Sequence, residues 1–211
     1  MKDIVLSIFN RPEVQAGLST ATEGISISNP AAGLILTAVK DVVSVADEVR
    51  AQRILKGLAS GLNQETHMNE LQNFIAASDQ NALFIANVLR KALLSDSLIV
   101  CTLMGRIVAD HASKNRSFDQ YDAIIVHAVE SATDDDLREF YHIMNSLSDD
   151  GFVETENKLV SDWGVNCRLF RNNDQLTWWE NENGPKRVTT EVASRLMEYL
   201  DEVRFYLVEG L

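Results

Sequence analysis

Four histidines, two cysteines and thirty-one acidic residues carry most of the chemistry open to this 211-residue chain, and their spacing decides how much of it is usable. Glu139 and His142 stand three apart, so a helix sets both on one face. That is the Glu-x-x-His spacing with which di-iron bundles hold their metals. Such a centre needs two copies of the motif and two further glutamates, and the chain offers a single copy. His127 and Glu130 repeat the spacing in reverse order. No metal or other cofactor is therefore assigned, and Glu139 and His142 stand as the nameable ligand candidates. Asp110-His111 has the composition of a carboxylate–imidazole pair, but adjacent helical residues point in different directions. Cys101 follows Leu98-Ile99-Val100, and Cys167 lies within Val165-Asn166-Cys167-Arg168-Leu169. A nucleophilic thiol needs an activating base, which an apolar setting does not supply. Two free, buried thiols fit a reducing compartment. Gly-x-Ser-x-Gly elbows, phosphate-binding glycine loops and Cys-x-x-Cys pairs are all missing from the sequence. No residue is nominated as catalytic.

Binding candidates are of three kinds. Asp134-Asp135-Asp136 follow Thr133, which reads as the cap of a helix whose first turn favours acids; the same acids are candidates for a partner surface. Trp178 and Trp179 are neighbours in an expected strand, where adjacent side chains face opposite ways. One indole can pack in a hairpin while the other meets a partner. Ile35, Val39, Val42, Ala46 and Val49 recur at alternating four- and three-residue steps, a coiled-coil-like seam suited to self-association.

These residues need elements to carry them. Short helices are expected over 2–9 and 13–22, then a long one from Asn29-Pro30 to about Leu62, since Asn caps and Pro suits the first turn. Gly61 and Asn63 mark its break. Helices follow with Leu71, Phe74 and Ile75, then with Ser78-Asp79 as cap and Phe84, Ile85, Val88 and Leu89 apolar. Ser95-Asp96-Ser97 caps a helix from Leu98 to about Ala112 that is apolar around most of its circumference and therefore central. The polar link 114–117 divides the chain into a helical bundle, residues 1–116, and a second domain, residues 117–211. There, helices over Phe118–Val129 (Tyr121, Ile124, Ile125 and Ala128 inward) and from Thr133 to about Leu147 lead to extended segments at 152–155, 167–170 and 176–179. Asn172-Asn173-Asp174 reads as a hairpin turn, and Thr190 caps a last helix burying Val192, Leu196, Tyr199, Leu200 and Val203. The fold class is mainly α: a helical bundle followed by an α+β, winged-helix-like domain with a small antiparallel sheet.

Charge separates the halves. Residues 1–116 hold eleven basic and eleven acidic side chains, whereas residues 117–211 hold eight basic and twenty acidic, so the whole net charge of −12 lies in the second half. A phosphate-binding surface requires the opposite sign. The most membrane-like stretch, 31–46, is interrupted by Lys40 and Asp41 and falls short of the ~20 apolar residues of a span. The N-terminal residues do not form a secretion signal. A cytoplasmic protein is expected.

Leu147-Ser148-Asp149-Asp150-Gly151-Phe152-Val153 resembles the helix-to-strand exit of a winged helix. Val188-Thr189-Thr190-Glu191-Val192-Ala193 onward resembles its closing Thr-x-x-Gly-x-x-Leu helix, with Ala193 where that pattern prefers Gly. This places the helix from Asp134 in the recognition position, where its one base is Arg138. Base readout uses basic and amide side chains there, so a protein is the expected partner. The order of parts, a segment of small apolar residues, then Phe84-Ile85-Ala86-Asn87-Val88-Leu89-Arg90-Lys91-Ala92-Leu93-Leu94, then the winged-helix-like part, is similar to the abortive-infection alpha family of bacterial phage-defence proteins. The resemblance implies a non-enzymatic role in defence and supplies no catalytic residue. The expectation is an interaction and assembly protein that forms homo-oligomers; a DNA-binding transcription regulator and an enzyme with a site of unfamiliar form are the alternatives.

Overall fold

A computed structural model describes residues 45–61, 67–147, 152–153, 157–172 and 187–208. The helices expected over 2–9, 13–22 and 30–44, the strand expected over 176–179, and with them Ile35, Val39, Val42, Trp178 and Trp179, lie outside the described residues. The chain divides into two compact units, Met1–Asp119 and Gln120–Leu211. It is mainly α with one small antiparallel sheet.

The described part of the first unit is four helices: α1 (Val45–Gly61), α2 (His67–Ala77), α3 (Asp79–Leu94) and α4 (Leu98–Ser113). The starts of α3 and α4 follow from local chemistry. Ser78 accepts from the Asn81 amide at 3.1 Å and Ser97 from the Val100 amide at 2.9 Å, each satisfying an amide that the first turn leaves without a partner. As its all-round apolarity requires, α4 is central: every residue from Ile99 to Ala112 except Arg106 is buried. Its closest neighbour is α1, which buries Ala51, Ile54, Leu55 and Leu58 completely.

Glycines decide how close these two helices come. A Cβ on Gly57 would run into the Thr102 carbonyl oxygen and lie 2.8 Å from the Arg106 amide nitrogen. A Cβ on Gly105 would run into the Ile54 carbonyl oxygen and lie 3.0 Å from the Leu58 nitrogen. One on Gly61 would stand 2.6 Å from the Ala109 Cβ. The helices therefore cross backbone against backbone, which only residues without a side chain allow. Arg106 clasps the crossing, donating from Nη1 to the Ser60 carbonyl at 2.7 Å. On the other side, Cys101 Sγ reaches the Ala92 carbonyl of α3 at 3.2 Å, and Asn81 Nδ2 donates to the Phe74 carbonyl at 2.8 Å.

The second unit contains α5 (Gln120–Ser131), α6 (Asp134–Asn145), β1 (Phe152–Val153), α7 (Lys158–Asn166), β2 (Phe170–Asn172), β3 (Arg187–Thr189), α8 (Glu191–Glu202) and α9 (Arg204–Val208). Its sheet has the order β1-β3-β2, antiparallel throughout, with Phe152 opposite Val188 and Phe170 opposite Thr189. β3 runs directly into α8, whose cap is Thr190, accepting from the Ala193 amide at 3.3 Å. The capped closing helix is as expected, and Val192, Leu196, Tyr199, Leu200 and Val203 are all buried.

Two features of the sheet region depart from the expectation. First, α7 stands between β1 and β2 where no helix was expected. Asn157 caps it through the Leu159 and Val160 amides. Second, the segment expected to be extended from Cys167 is instead the end of α7. Arg168 adopts a left-handed backbone, φ 58°, and the Leu169 and Arg168 amides bond back to the carbonyls of Gly164 (2.8 Å) and Val165 (3.0 Å). These two bonds are a Schellman closure. β2 ends at Asn172 and pairs with β3; the rest of the turn expected at 172–174 and the strand expected beyond it lie outside the described residues. The core of the unit is aromatic: Phe140 meets Trp163 edge-on at 5.8 Å and stacks on Phe170 at 5.7 Å. Gly164 gives the Phe170 ring its place, since any side chain there would overlap it. On α5, Tyr121 was expected inward but is exposed, with the Arg195 guanidinium 4.6 Å over its ring. Asp122 is the buried neighbour.

Candidate functional site

The acid run at the start of α6 divides by role. Asp136 belongs to the helix cap. Its Oδ2 accepts from the Thr133 amide at 2.9 Å and from the Thr133 hydroxyl at 2.7 Å, while Thr133 Oγ1 accepts from the Asp136 amide at 3.1 Å. This reciprocal arrangement is a capping box with Asp in the third position. Asp135 is turned to solvent and lies 3.3 Å from Arg138 Nη1; Asp134 is half-buried. Only part of the run is therefore free of the helix end to face a partner.

Glu139 and His142 share a face of α6, with Glu139 half-buried and His142 exposed. Among the described residues no group of three or more His, Cys, Asp or Glu is placed to hold a metal ion. His127 and Glu130 are exposed on α5. Of the expected self-association seam, Ala46 and Val49 fall within α1, and Val49 is half-buried. Farther along α1, the face carrying Ala51, Ile54, Leu55 and Leu58 is spent inside the first unit.

Both thiols are buried and free. Burial pushes the Cys167 thiol above its ordinary value, while the Ser131 hydroxyl, 3.5 Å away, pulls it slightly back. A thiol so placed is a poor nucleophile. Trp163, which the sequence reading passed over in favour of Trp178 and Trp179, ties α7 to α5: its Nε1 hydrogen is shared between the Ala128 carbonyl (3.3 Å) and Ser131 Oγ (3.2 Å). The signal was the Val160–Trp163 spacing after Asn157.

Electrostatics single out the surface of the second unit. Three of its arginines are turned onto its own acids, while Arg168, Arg171 and Arg204 are exposed. Arg138 meets Asp135, Arg195 lies 3.4 Å from Glu191, and Arg187 lies 3.1 Å from Asp162 while also donating to Ser161 Oγ. Packed together, α6 and α8 expose Asp135, Glu191, Glu198, Asp201 and Glu202. The Tyr141 hydroxyl donates to Asp201 at 3.2 Å, joining the two helices. No family model, curated protein or solved structure matches this chain. The α6–α8 surface therefore stands on its own chemistry. It can attract a basic protein surface, and it offers phosphate groups little.

Proposed function

We propose that this chain is a non-enzymatic interaction protein of the cytoplasm that presents its acidic second unit to a protein partner and assembles with further copies of itself. The setting is the one its resemblance to the abortive-infection alpha family implies, bacterial defence against phage. The observation carrying the reading is the pairing of Arg138, Arg187 and Arg195 with acids of the same unit. The positive charge of these three arginines is met in place, and the unit carries twenty acidic against eight basic side chains over residues 117–211, so acids dominate what a partner meets at α6 and α8. Long-range attraction of this kind governs encounter and selectivity more than raw affinity. The described helices include none long and apolar enough to cross a membrane, which is in keeping with action through a protein partner.

The test is capture from host lysate by the wild-type chain and by a charge-reversed variant, Asp135→Lys/Glu198→Lys/Glu202→Lys. A partner held by the wild type and lost by the variant supports the reading; equal capture by both removes the acidic surface from it. Light scattering at micromolar concentration tests assembly, and a monomer there rejects that part. Plating efficiency of phage on cells with and without the chain tests the defence setting.

The sheet order and the Thr190-capped closing helix favour a second reading, a DNA-binding regulator built on a winged helix. Phosphate contacts dominate weak DNA binding at low salt, so no shift of duplex DNA at low ionic strength ends that reading.

A further inference from the structure

The helix α3 carries apolar residues on two faces, and its own unit uses one of them. Phe84, Ile85, Val88, Leu89 and Leu93 are buried, where α3 packs with α1, α2 and α4. On the opposite side Leu83 is 44% exposed and Leu94 is 62% exposed. A single exposed leucine is ordinary on a protein surface. These two share one line of the helix. The steps from Leu83 to Asn87, to Arg90 and to Leu94 are four, three and four residues. At 3.6 residues per turn, those steps keep all four side chains within a narrow arc over about 16 Å of helix. All four are exposed. The spacing is that of a coiled-coil seam, and here it faces solvent.

The line also carries charge. Arg90 lies in its middle, and among the described residues no carboxylate is within ion-pair distance of it. The acid nearest to it in sequence, Asp96, is held by Arg50 of α1. Lys91, half-buried, adds a second cation beside the line. Asp79, at the start of the helix, is about three turns away. The surface therefore has a leucine at each end and positive charge between them.

We propose that Leu83, Asn87, Arg90 and Leu94 form a docking ridge on the first unit for an acidic amphipathic helix of a protein partner. The partner helix covers each leucine with an apolar side chain and sets carboxylates between them against Arg90 and Lys91. Asn87, a polar residue within the seam, fixes the register, as a seam asparagine does in coiled coils. Charge decides the occupant. Two α3 helices from two copies, laid leucine on leucine in either direction, bring Arg90 of one within a turn of Arg90 of the other, and like charges so placed repel. The α6–α8 surface of a second copy supplies acids but exposes no large apolar side chain among its described residues. An acidic helix with leucine-sized residues answers both the apolar ends and the cationic centre, in the helix-on-helix mode of peptide recognition. This ridge is separate from the acidic surface of the second unit, and the argument for it does not depend on that surface.

The test uses the full chain and two labelled helical peptides, with binding read by fluorescence anisotropy. One peptide carries Leu-x-x-x-Glu-x-x-Glu-x-x-x-Leu, and the other has Gln in place of both Glu. The glutamate peptide should bind about fivefold or more tightly than the glutamine peptide. Leu83→Ser/Leu94→Ser should weaken the glutamate peptide by about tenfold or more, and Arg90→Glu should abolish the preference for glutamate. The substituted residues are exposed, and circular dichroism checks that each variant is folded. No binding of the glutamate peptide, equal binding of the two peptides, or binding that survives the double serine variant overturns the proposal. So does light scattering that finds wild-type dimers lost in the double serine variant, which gives the line to a second copy of the chain.

Discussion

Replacing Gly57 or Gly105 by alanine tests the tightest feature of the first unit. Helix propensity by itself favours the change by about 1 kcal/mol in a helix interior. Packing opposes it. The new methyl on Gly57 would overlap the Thr102 carbonyl and lie 2.8 Å from the Arg106 nitrogen, and that on Gly105 would overlap the Ile54 carbonyl. Carbon contacts are comfortable at about 3.5–4 Å, so α1 and α4 must part by roughly an ångström. The atoms in the way are backbone, which cannot rotate aside. Overpacking costs up to about 3 kcal/mol where side chains can yield and more where they cannot, so a net loss of about 2–3 kcal/mol is expected for each variant. For a unit of this size that lowers the melting temperature by about 10 °C. The two losses should be sub-additive, because the first methyl makes room for the second. Gly61→Ala would set its methyl 2.6 Å from the Ala109 Cβ, which is fixed to the backbone, beside the flexible Arg106 side chain, and should cost about 1–2 kcal/mol. Far-UV circular dichroism is the assay. All three tryptophans lie in the second unit, so their fluorescence follows that unit separately. Gly57→Ala and Gly105→Ala proteins that melt at or above the wild type would refute the backbone crossing.

Three further outcomes follow from local geometry. Thr133→Ala removes the acceptor of the Asp136 amide and breaks the capping box; thermal melts should show a loss of about 1 kcal/mol. Arg168 pays for a left-handed backbone with a side chain that is exposed, so Arg168→Gly should be neutral or stabilise by up to about 1 kcal/mol in urea titration. Cys167 is held above the ordinary thiol value by burial. Its thiol form therefore stabilises the fold fully below the ordinary thiol range, and this contribution disappears as pH rises through the raised folded value. Urea midpoints measured from neutral to alkaline pH should fall more steeply for the wild type than for Cys167→Ala; parallel curves would contradict the assignment.

Much of this architecture was legible because its causes are local. Ser78, Ser97, Thr133 and Thr190 announce helix starts through bonds that span three residues, and the unbroken apolarity of Leu98–Ala112 announces a central helix. What escaped has non-local or contrary signals. α7 carries a glycine, which weakens a helical pattern, and its Leu159 is 78% exposed, so its apolar residues do not all mark one face. Gly164 is there for Phe170, a contact no window around residue 164 contains. Tyr121, expected inward, lies outside under Arg195, and its neighbour Asp122 is buried. Asp110 and His111 do diverge along the helix, as adjacent residues must. Their common partner is Arg116, brought back by the left-handed turn at Asn115. Of the binding candidates, Asp136 proves to be a structural cap, while Asp135 remains on the surface with the acids of α8.

The meeting of α1 with α4 also orders events in time. Gly57 finds its counterpart only after Gly105 has been made, and α2 and α3 lie between them in the sequence. At ribosomal speeds of about 5–20 residues per second, that interval lasts roughly 2–10 seconds. Throughout it, Ile54, Leu55 and Leu58 lack the surface that finally covers them, and the nascent chain holds an apolar face with nothing yet to close on. The α2–α3 hairpin, by contrast, can assemble as soon as it emerges, since Asn81 reaches back only seven residues to Phe74. Chaperone dependence during synthesis should therefore centre on α1 and end when α4 leaves the ribosome.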